Sequence, residues 1–159
     1  MYLKEFEVRW SDMDANVHLA NSSYINFMSH TRMSFLVANG FSYAEMKKHS
    51  IGPVAFFEHI NYFREVFVGS KIRVSLQLKG LSKDGMYFEF LHNFYDENGK
   101  NFASCTMMGG WIDMKLRKLT GLPEELLSKM SVVDKTNDFK YLTKEDTRKA
   151  SVSPKDLDF

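Results

Sequence analysis

Apolar and polar positions alternate from Tyr2 to Trp10, with Phe6, Val8 and Trp10 on one side and Glu5, Glu7 and Arg9 on the other. That period predicts a half-buried strand. The period then changes. Tyr24, Phe27, Met28, Thr31, Phe35 and Ala38 recur at helical spacing, which predicts a helix over 22–39 with one apolar face. Asn21 or Ser22 is expected to cap its start and Gly40 to stop it. Residues 42–49 predict a short second helix, broken by Gly52-Pro53.

Strand patterns fill the next sixty residues or so, starting with the aromatic-rich stretch 54–64. Over 71–79, Ile72, Val74, Leu76 and Leu78 alternate with polar residues. "KDG" at 83–85 and "DENG" at 96–99 are turns, separating that strand from strands over 86–95 and 101–114. Turn glycines between alternating runs predict an antiparallel meander. Gly109-Gly110 inside the last strand predicts a bulge or a close approach by another backbone. Residues 120–130 predict a short helix with Pro123 near its start. Beyond Met130 the chain is mostly polar, either a loose tail or an edge extension. The expected organisation is one domain over 1–130 and a polar C-terminal extension over 131–159. One long helix among at least four strands implies an α+β fold, an antiparallel sheet wrapped around one long central helix.

Composition narrows the function classes. The 159 residues suit a single domain, and 44% hydrophobic content with 14 Phe excludes a disordered chain. Lys and Arg number 21 against 20 acids, a balance with no global attraction for nucleic acid or a membrane surface. Cys105 is the single cysteine, so no internal disulfide forms, and its strand-like surroundings suit a small buried residue. Neither a signal-peptide pattern nor an apolar run of about 18 residues is present, and a cytoplasmic location is expected. No second His or Cys stands at ligand spacing from His18, so no metal is expected, and no phosphate-binding glycine fingerprint occurs.

The chemistry-bearing stretch is "RWSDMDANVHLANSSY", residues 9–24, where the first strand pattern runs into two aspartates, a histidine and the long helix. It resembles the opening motif of the hotdog-fold acyl-CoA thioesterases of the 4-hydroxybenzoyl-CoA thioesterase family. Arg9, Trp10, Asp12, Asp14, His18, Asn21 and Tyr24 match that motif. The similarity extends through Arg32 and "INYFREVFVGSKIRV" at 60–74 to the closing meander. Two positions depart from it. Val17 replaces a glycine, with Asn16 before it as a residue able to adopt part of that glycine's left-handed backbone. Ala20 replaces the first of two asparagines.

The resemblance implies a hotdog fold and hydrolysis of an acyl thioester. A thiol with a pKa of about 8.5 leaves without a strong acid. The reaction needs a carboxylate on one side of the carbonyl and hydrogen-bond donors where negative charge develops. By resemblance, Asp14 is the nucleophile or general base, and amides at the head of the long helix form the oxyanion hole. His18, Asn21 and Tyr24 complete the candidate site. His18 is expected to be structural or substrate-orienting, Asn21 a helix cap or an active-site donor, and Tyr24 core or pocket wall rather than catalyst. Asp12 is expected to position the loop or Arg9, Arg32 to pair with a buried acid, and Glu58 is a candidate second carboxylate.

Coenzyme A enters as part of the substrate and no separate cofactor is implied; an acyl carrier protein thioester is the other donor. Phosphate contacts are expected from Arg64, Lys71 and Arg73, or from "KLRK" at 115–118. Phe27, Phe56, Phe57, Tyr62 and Phe63 are core or acyl pocket. The resemblance implies edge-to-edge pairing into a homodimer or homotetramer. Two alternatives stay open: a non-catalytic acyl-thioester-binding protein, and a hydratase or dehydratase pairing Asp14 with His18.

Overall fold

The computed structural model describes residues 1–148 and 152–157; residues 149–151 and 158–159 of the expected extension lie outside the described residues. The chain forms β1 (Tyr2–Glu7), a 3₁₀ turn (Trp10–Asp12), α1 (Asn21–Ala38) and α2 (Tyr43–Lys48). There follow β2 (Ile51–Tyr62), β3 (Lys71–Leu81), β4 (Tyr87–Tyr95), β5 (Asn101–Asp113) and β6 (Lys118–Leu119). The chain continues with α3 (Glu124–Met130), β7 (Lys135–Tyr141) and a 3₁₀ turn at Glu145–Arg148.

The sheet order is β1-β3-β4-β5-β2, with β6 added to β5 and β7 to β3. The meander β3-β4-β5 is antiparallel, as its turns predict. Residues of β7 pair parallel to β3 from Leu78 to Leu81, beyond the part of β3 that β1 occupies. Of the two fates open to the residues after Met130, edge extension is therefore the one observed for Lys135–Tyr141. The curled sheet packs around α1, whose Tyr24, Phe27, Met28, Thr31, Phe35 and Leu36 are buried. This is the α+β hotdog architecture. Among the described residues no helix is long and apolar enough to cross a membrane.

Local chemistry explains the ends of α1. Gly40 adopts φ +87° just after the Asn39 C-cap. Its N–H donates to the Val37 carbonyl at 3.2 Å, and the Phe41 N–H to the Leu36 carbonyl at 2.8 Å. Those two bonds satisfy the Val37 and Leu36 carbonyls and turn Phe41 inward, where its ring stacks on Trp111 at 5.4 Å. At the other end the sequence expectation fails. The N-cap is Ala20, not Asn21 or Ser22, and it has no side-chain cap; Asn21 Oδ1 accepts the Ser22 N–H from within the first turn. Trp10 also departs from its expected inward face: β1 ends at Glu7, and the 3₁₀ turn leaves Trp10 exposed.

Gly109 meets its expectation of a close backbone approach. A Cβ there would lie 2.5 Å from the Val54 carbonyl oxygen on β2. Opposite it, β2 carries a bulge between Ala55 and Phe57. The extra residue reverses the inward and outward alternation along β2.

One polar cluster is enclosed between α1 and the sheet. Arg32 of α1 lies 3.6 Å from Glu58 of β2, the buried acid expected for it, and 3.3 Å from His92 Nε2 of β4. His92 is fully buried, and its Nδ1 lies 2.7 Å from the Ser75 carbonyl oxygen. Those partners fit a neutral ring that donates from Nδ1 to Ser75 and accepts at Nε2 from Arg32. Burial first, and the Arg32 charge second, push the His92 pKa from 6.5 down to about 3. The unfolded chain therefore binds the extra proton between those values. Stability from this group is complete above pH 6.5 and declines as pH falls, by about 1.4 kcal/mol per unit. Urea denaturation at pH 6.5 and pH 5 should show a loss of about 2 kcal/mol. His92→Gln should flatten that dependence, and an unchanged slope would place the proton elsewhere.

Candidate active site

Residues 13–19 form a tight hairpin beside the head of α1. The Asp14 N–H donates to the His18 carbonyl at 2.9 Å, the Val17 N–H to the Asp14 carbonyl at 3.1 Å, and Met13 bridges to Leu19. The Asp14 side chain is held from within this turn. Its Oδ1 accepts the Asn16 N–H at 2.8 Å and the His18 N–H at 3.2 Å. Among the described residues Oδ2 has no partner, and Asp14 is exposed. The carboxylate is thus fixed by one oxygen and open at the other.

Asp12, two residues earlier, has the opposite environment. It is buried; its carboxylate accepts Arg9 Nε at 3.1 Å, Arg9 Nη2 at 3.0 Å and the Arg9 N–H at 2.9 Å. The Arg9 guanidinium holds the Asp12 carboxyl below the usual carboxylate range. The Asp12 carbonyl accepts the Ala20 N–H and the Ser23 hydroxyl, each at 2.9 Å. The Leu19 N–H reaches the Val66 carbonyl at 2.8 Å. These bonds fix the loop against α1 and against the segment that follows β2. Asp12 is the structural carboxylate that positions Arg9, as expected.

The resulting cleft of about 370 Å³ is lined by Asp14, His18, Asn21, Tyr24, Tyr62, Phe63, Arg64 and Glu65, among others. Asn21 is the first residue of α1, and its Oδ1 accepts the neighbouring Ser22 N–H at 2.9 Å. Tyr24 is buried edge-on against Tyr62 at 4.9 Å and Phe94 at 5.1 Å. Its phenol is pushed up to about 12, chiefly by burial, then by Tyr62 and Asp14. A phenol with that pKa stays protonated at neutral pH, which suits a pocket wall or a hydrogen-bond donor and not a base. His18 directs Nε2 toward Glu65 Oε1 at 3.5 Å, and its ring lies edge-on to Phe67. The link between His18 and Asp14 runs through the His18 main chain, not the imidazole.

The structure groups Arg64 with this cleft but not Lys71 and Arg73. Those two line a separate groove of about 390 Å³ with Glu5, Glu7 and Glu97. Arg73 Nε donates to Glu5 Oε1 at 2.8 Å, and Lys71 stands opposite Glu7 in register. Alternation along β3 sends these cations to the outer face, where β1 supplies acids. The "KLRK" residues lie exposed at the turn leading into β6. Of the aromatic candidates, Tyr62 and Phe63 line the cleft, Phe27 packs in the core on Phe6, and Phe56 lies against Tyr87. Sequence reasoning missed Leu19, Glu65 and Val66, of which Glu65 is the charged one. Its only signal is its place in "FREVF", beside the predicted Arg64. Away from the cleft, Glu45, His49 and Glu125 bring potential metal-ligand atoms within 4.8 Å of one another. Both carboxylates there are paired with Lys48 and Lys129.

A family model for the thioesterase-like superfamily matches residues 8–130. The chain belongs to that superfamily. Its enzyme class is thioester hydrolase. Among solved structures, the probable thioesterase YbaW from Escherichia coli is 26% identical, covering 84% of this chain and 98% of its own, with TM-score 0.71. A DHNA-CoA thioesterase from Staphylococcus aureus is 21% identical, covering 81% of this chain and 89% of its own, with TM-score 0.72. SAV2348 from Staphylococcus aureus, solved in complex with CoA, is 17% identical; it covers 96% of this chain and 94% of its own, with TM-score 0.76. The latter two likenesses show the fold. No curated protein matches the chain.

The loop contains one strained residue. Val17, expected by resemblance to replace a glycine, has φ +62°, so it takes the left-handed conformation itself, and Asn16 does not take it over. For an L-residue that costs about 1–2 kcal/mol, against about 0.5–1 kcal/mol for glycine's extra freedom when unfolded. Val17 is exposed, so little packing is lost on truncation. Val17→Gly should therefore stabilise the protein by about 0.5–1 kcal/mol, raising Tm by about 1–4 °C in calorimetry.

Proposed function

We propose that the protein hydrolyses a small or medium acyl-CoA thioester, with Asp14 as the carboxylate and the head of α1 as the oxyanion site. The observation that carries this reading is the shared cleft: an aspartate with one free oxygen beside the start of α1, where the N-cap Ala20 has no capping side chain and Asn21 Oδ1 meets the Ser22 N–H. First-turn amides and the positive end of the helix dipole suit the carbonyl oxygen as it gains charge. Asp14 Oδ2 attacks the carbonyl carbon, or takes a proton from a water that does. The tetrahedral intermediate collapses, the C–S bond breaks, and the thiolate leaves with its electron pair. In the first route water then cleaves the resulting anhydride. Both routes end with free acid and CoA.

His18, Asn21 and Tyr24 shape the carbonyl end, and Arg64 at the rim is the cation best placed for a CoA phosphate. Lys71 and Arg73 serve β1 in this reading, since Glu5 and Glu7 face them. Coenzyme A belongs to the substrate, with carrier-protein thioesters as the second possible donor class. A buried single cysteine suits the reducing cytoplasm where such thioesters are made.

The assembly we propose is a homodimer through β2, or a homotetramer of two such dimers. This 12-residue strand pairs with β5 on one side only, which leaves a long open edge. Light scattering should return at least twice the mass of 18.5 kDa, and an active monomer would contradict the dimer.

Thiol release from acyl-CoAs of graded length, together with benzoyl-CoA, tests the chemistry. Asp14→Asn should lower kcat by about 10²–10⁴ with little change in KM. Equal rates in wild type and variant would remove Asp14 from the mechanism. The absence of thiol release from every donor would favour a binding protein.

A further inference from the structure

Helix α1 and strand β2 run in opposite directions, and residues from the two meet at successive levels. At the active-site end Tyr24 meets Tyr62. In the middle Arg32 meets Glu58. At the far end Met33 and Leu36 share an apolar cavity of about 260 Å³ with Phe88, Phe90, Met107 and Trp111. Arg32 and Ser29 border that cavity, and along the helix the Arg32–Glu58 pair comes between the Tyr24–Tyr62 contact and Leu36. The β2 bulge before Phe57 places Glu58 on the inner side, where the helix runs.

The pair is poorly explained as a device for stability alone. Its side chains are only 12% and 18% exposed, and its 3.6 Å contact is longer than a hydrogen bond. Replacing such a buried pair by apolar residues is often neutral or stabilising. Its place between the cleft end of α1 and the apolar cavity gives it a second use. A methyl group pushed against it would strip water from two charges without offering them a partner.

We propose that the Arg32–Glu58 pair is the floor of the acyl site, limiting the substrate to short and medium chains and keeping them out of the apolar cavity. This rests on the reading of the Asp14 cleft as the reaction centre. From Tyr24 to Arg32 the helix rises about 12 Å. An extended chain advances roughly 1.3 Å per methylene for bonds of about 1.5 Å, so the floor lies about ten carbons from the cleft.

The test is Arg32→Met with Glu58→Leu, which removes both charges together, with a cooperative melt to show folding. The ratio of kcat/KM for hexadecanoyl-CoA over octanoyl-CoA should rise at least about tenfold over wild type. A second readout needs no hydrolysis. Trp111 lines the cavity and the other tryptophan, Trp10, is 76% exposed, so hexadecanoate entering the cavity changes buried-tryptophan emission. That change should appear in the double variant and not in wild type.

A third arm leaves the pair intact. Leu36→Phe fills space beyond the floor and should leave the wild-type chain-length profile unchanged. The proposal is overturned by a wild type that prefers hexadecanoyl-CoA, by a folded double variant with unaltered ratio and emission, or by a Leu36→Phe profile that loses its longest substrates. Should wild type cleave no acyl-CoA, the thioesterase reading falls, and the emission measurement decides the floor by itself.

Discussion

The packing of one long helix into a curled sheet is the constraint on which the molecule depends. Helix α1 buries Tyr24, Phe27, Met28, Thr31, Phe35 and Leu36 along a single stripe. That stripe fixes the helix in rotation, and the bonds through Gly40 and Phe41 fix where it stops. Its head is then held in one place, against a loop that Asp12 anchors through its carboxylate and its main-chain carbonyl. The same packing lays α1 along β2, so one helix carries the cleft at its start and the Arg32–Glu58 pair near its middle.

Two aspartates two residues apart show how environment divides labour in this loop. Asp12 is buried and its oxygens are occupied by Arg9, which keeps it ionised. Asp14 is exposed and held by two main-chain amides on one oxygen, which fixes its direction and leaves the other oxygen available. The strain at Val17 belongs to the same turn, since the left-handed residue is what closes the hairpin back onto His18. A loop that combines a free carboxylate with a strained backbone fits a site selected for geometry over stability.

Much of this was legible in the residue pattern because periodicity reports which face is buried. The alternation of Ile72, Val74, Leu76 and Leu78 and the glycines at 85 and 99 specify the meander, and the helical stripe specifies α1 to within one residue at each end. The opening motif pointed to Asp14, His18, Asn21 and Tyr24, which share one cleft, and Arg64, chosen separately as a phosphate contact, lines it too. What pattern does not report is the partner. Lys71 and Arg73 read as a free basic strip until β1 places Glu7 and Glu5 across from them. The polar stretch 135–141 lacks a strong strand pattern, and β7 forms because β3 extends past the end of β1. Residue preference pointed to Asn21 or Ser22 as the cap, whereas the loop geometry makes it Ala20, with the Asn21 side chain meeting the Ser22 N–H from inside the first turn.

The central claim is that a thioester carbonyl binds between the Asp14 carboxylate and the first-turn amides of α1. A crystal structure with an acyl-CoA ketone analogue, a methylene replacing the sulfur, tests it most directly. The account predicts the ketone oxygen about 2.7–3.1 Å from amides at the start of α1, with Asp14 Oδ2 facing the carbonyl carbon. An analogue seated in the Lys71–Arg73 groove, or bound with Asp14 turned away from the carbonyl, would contradict it.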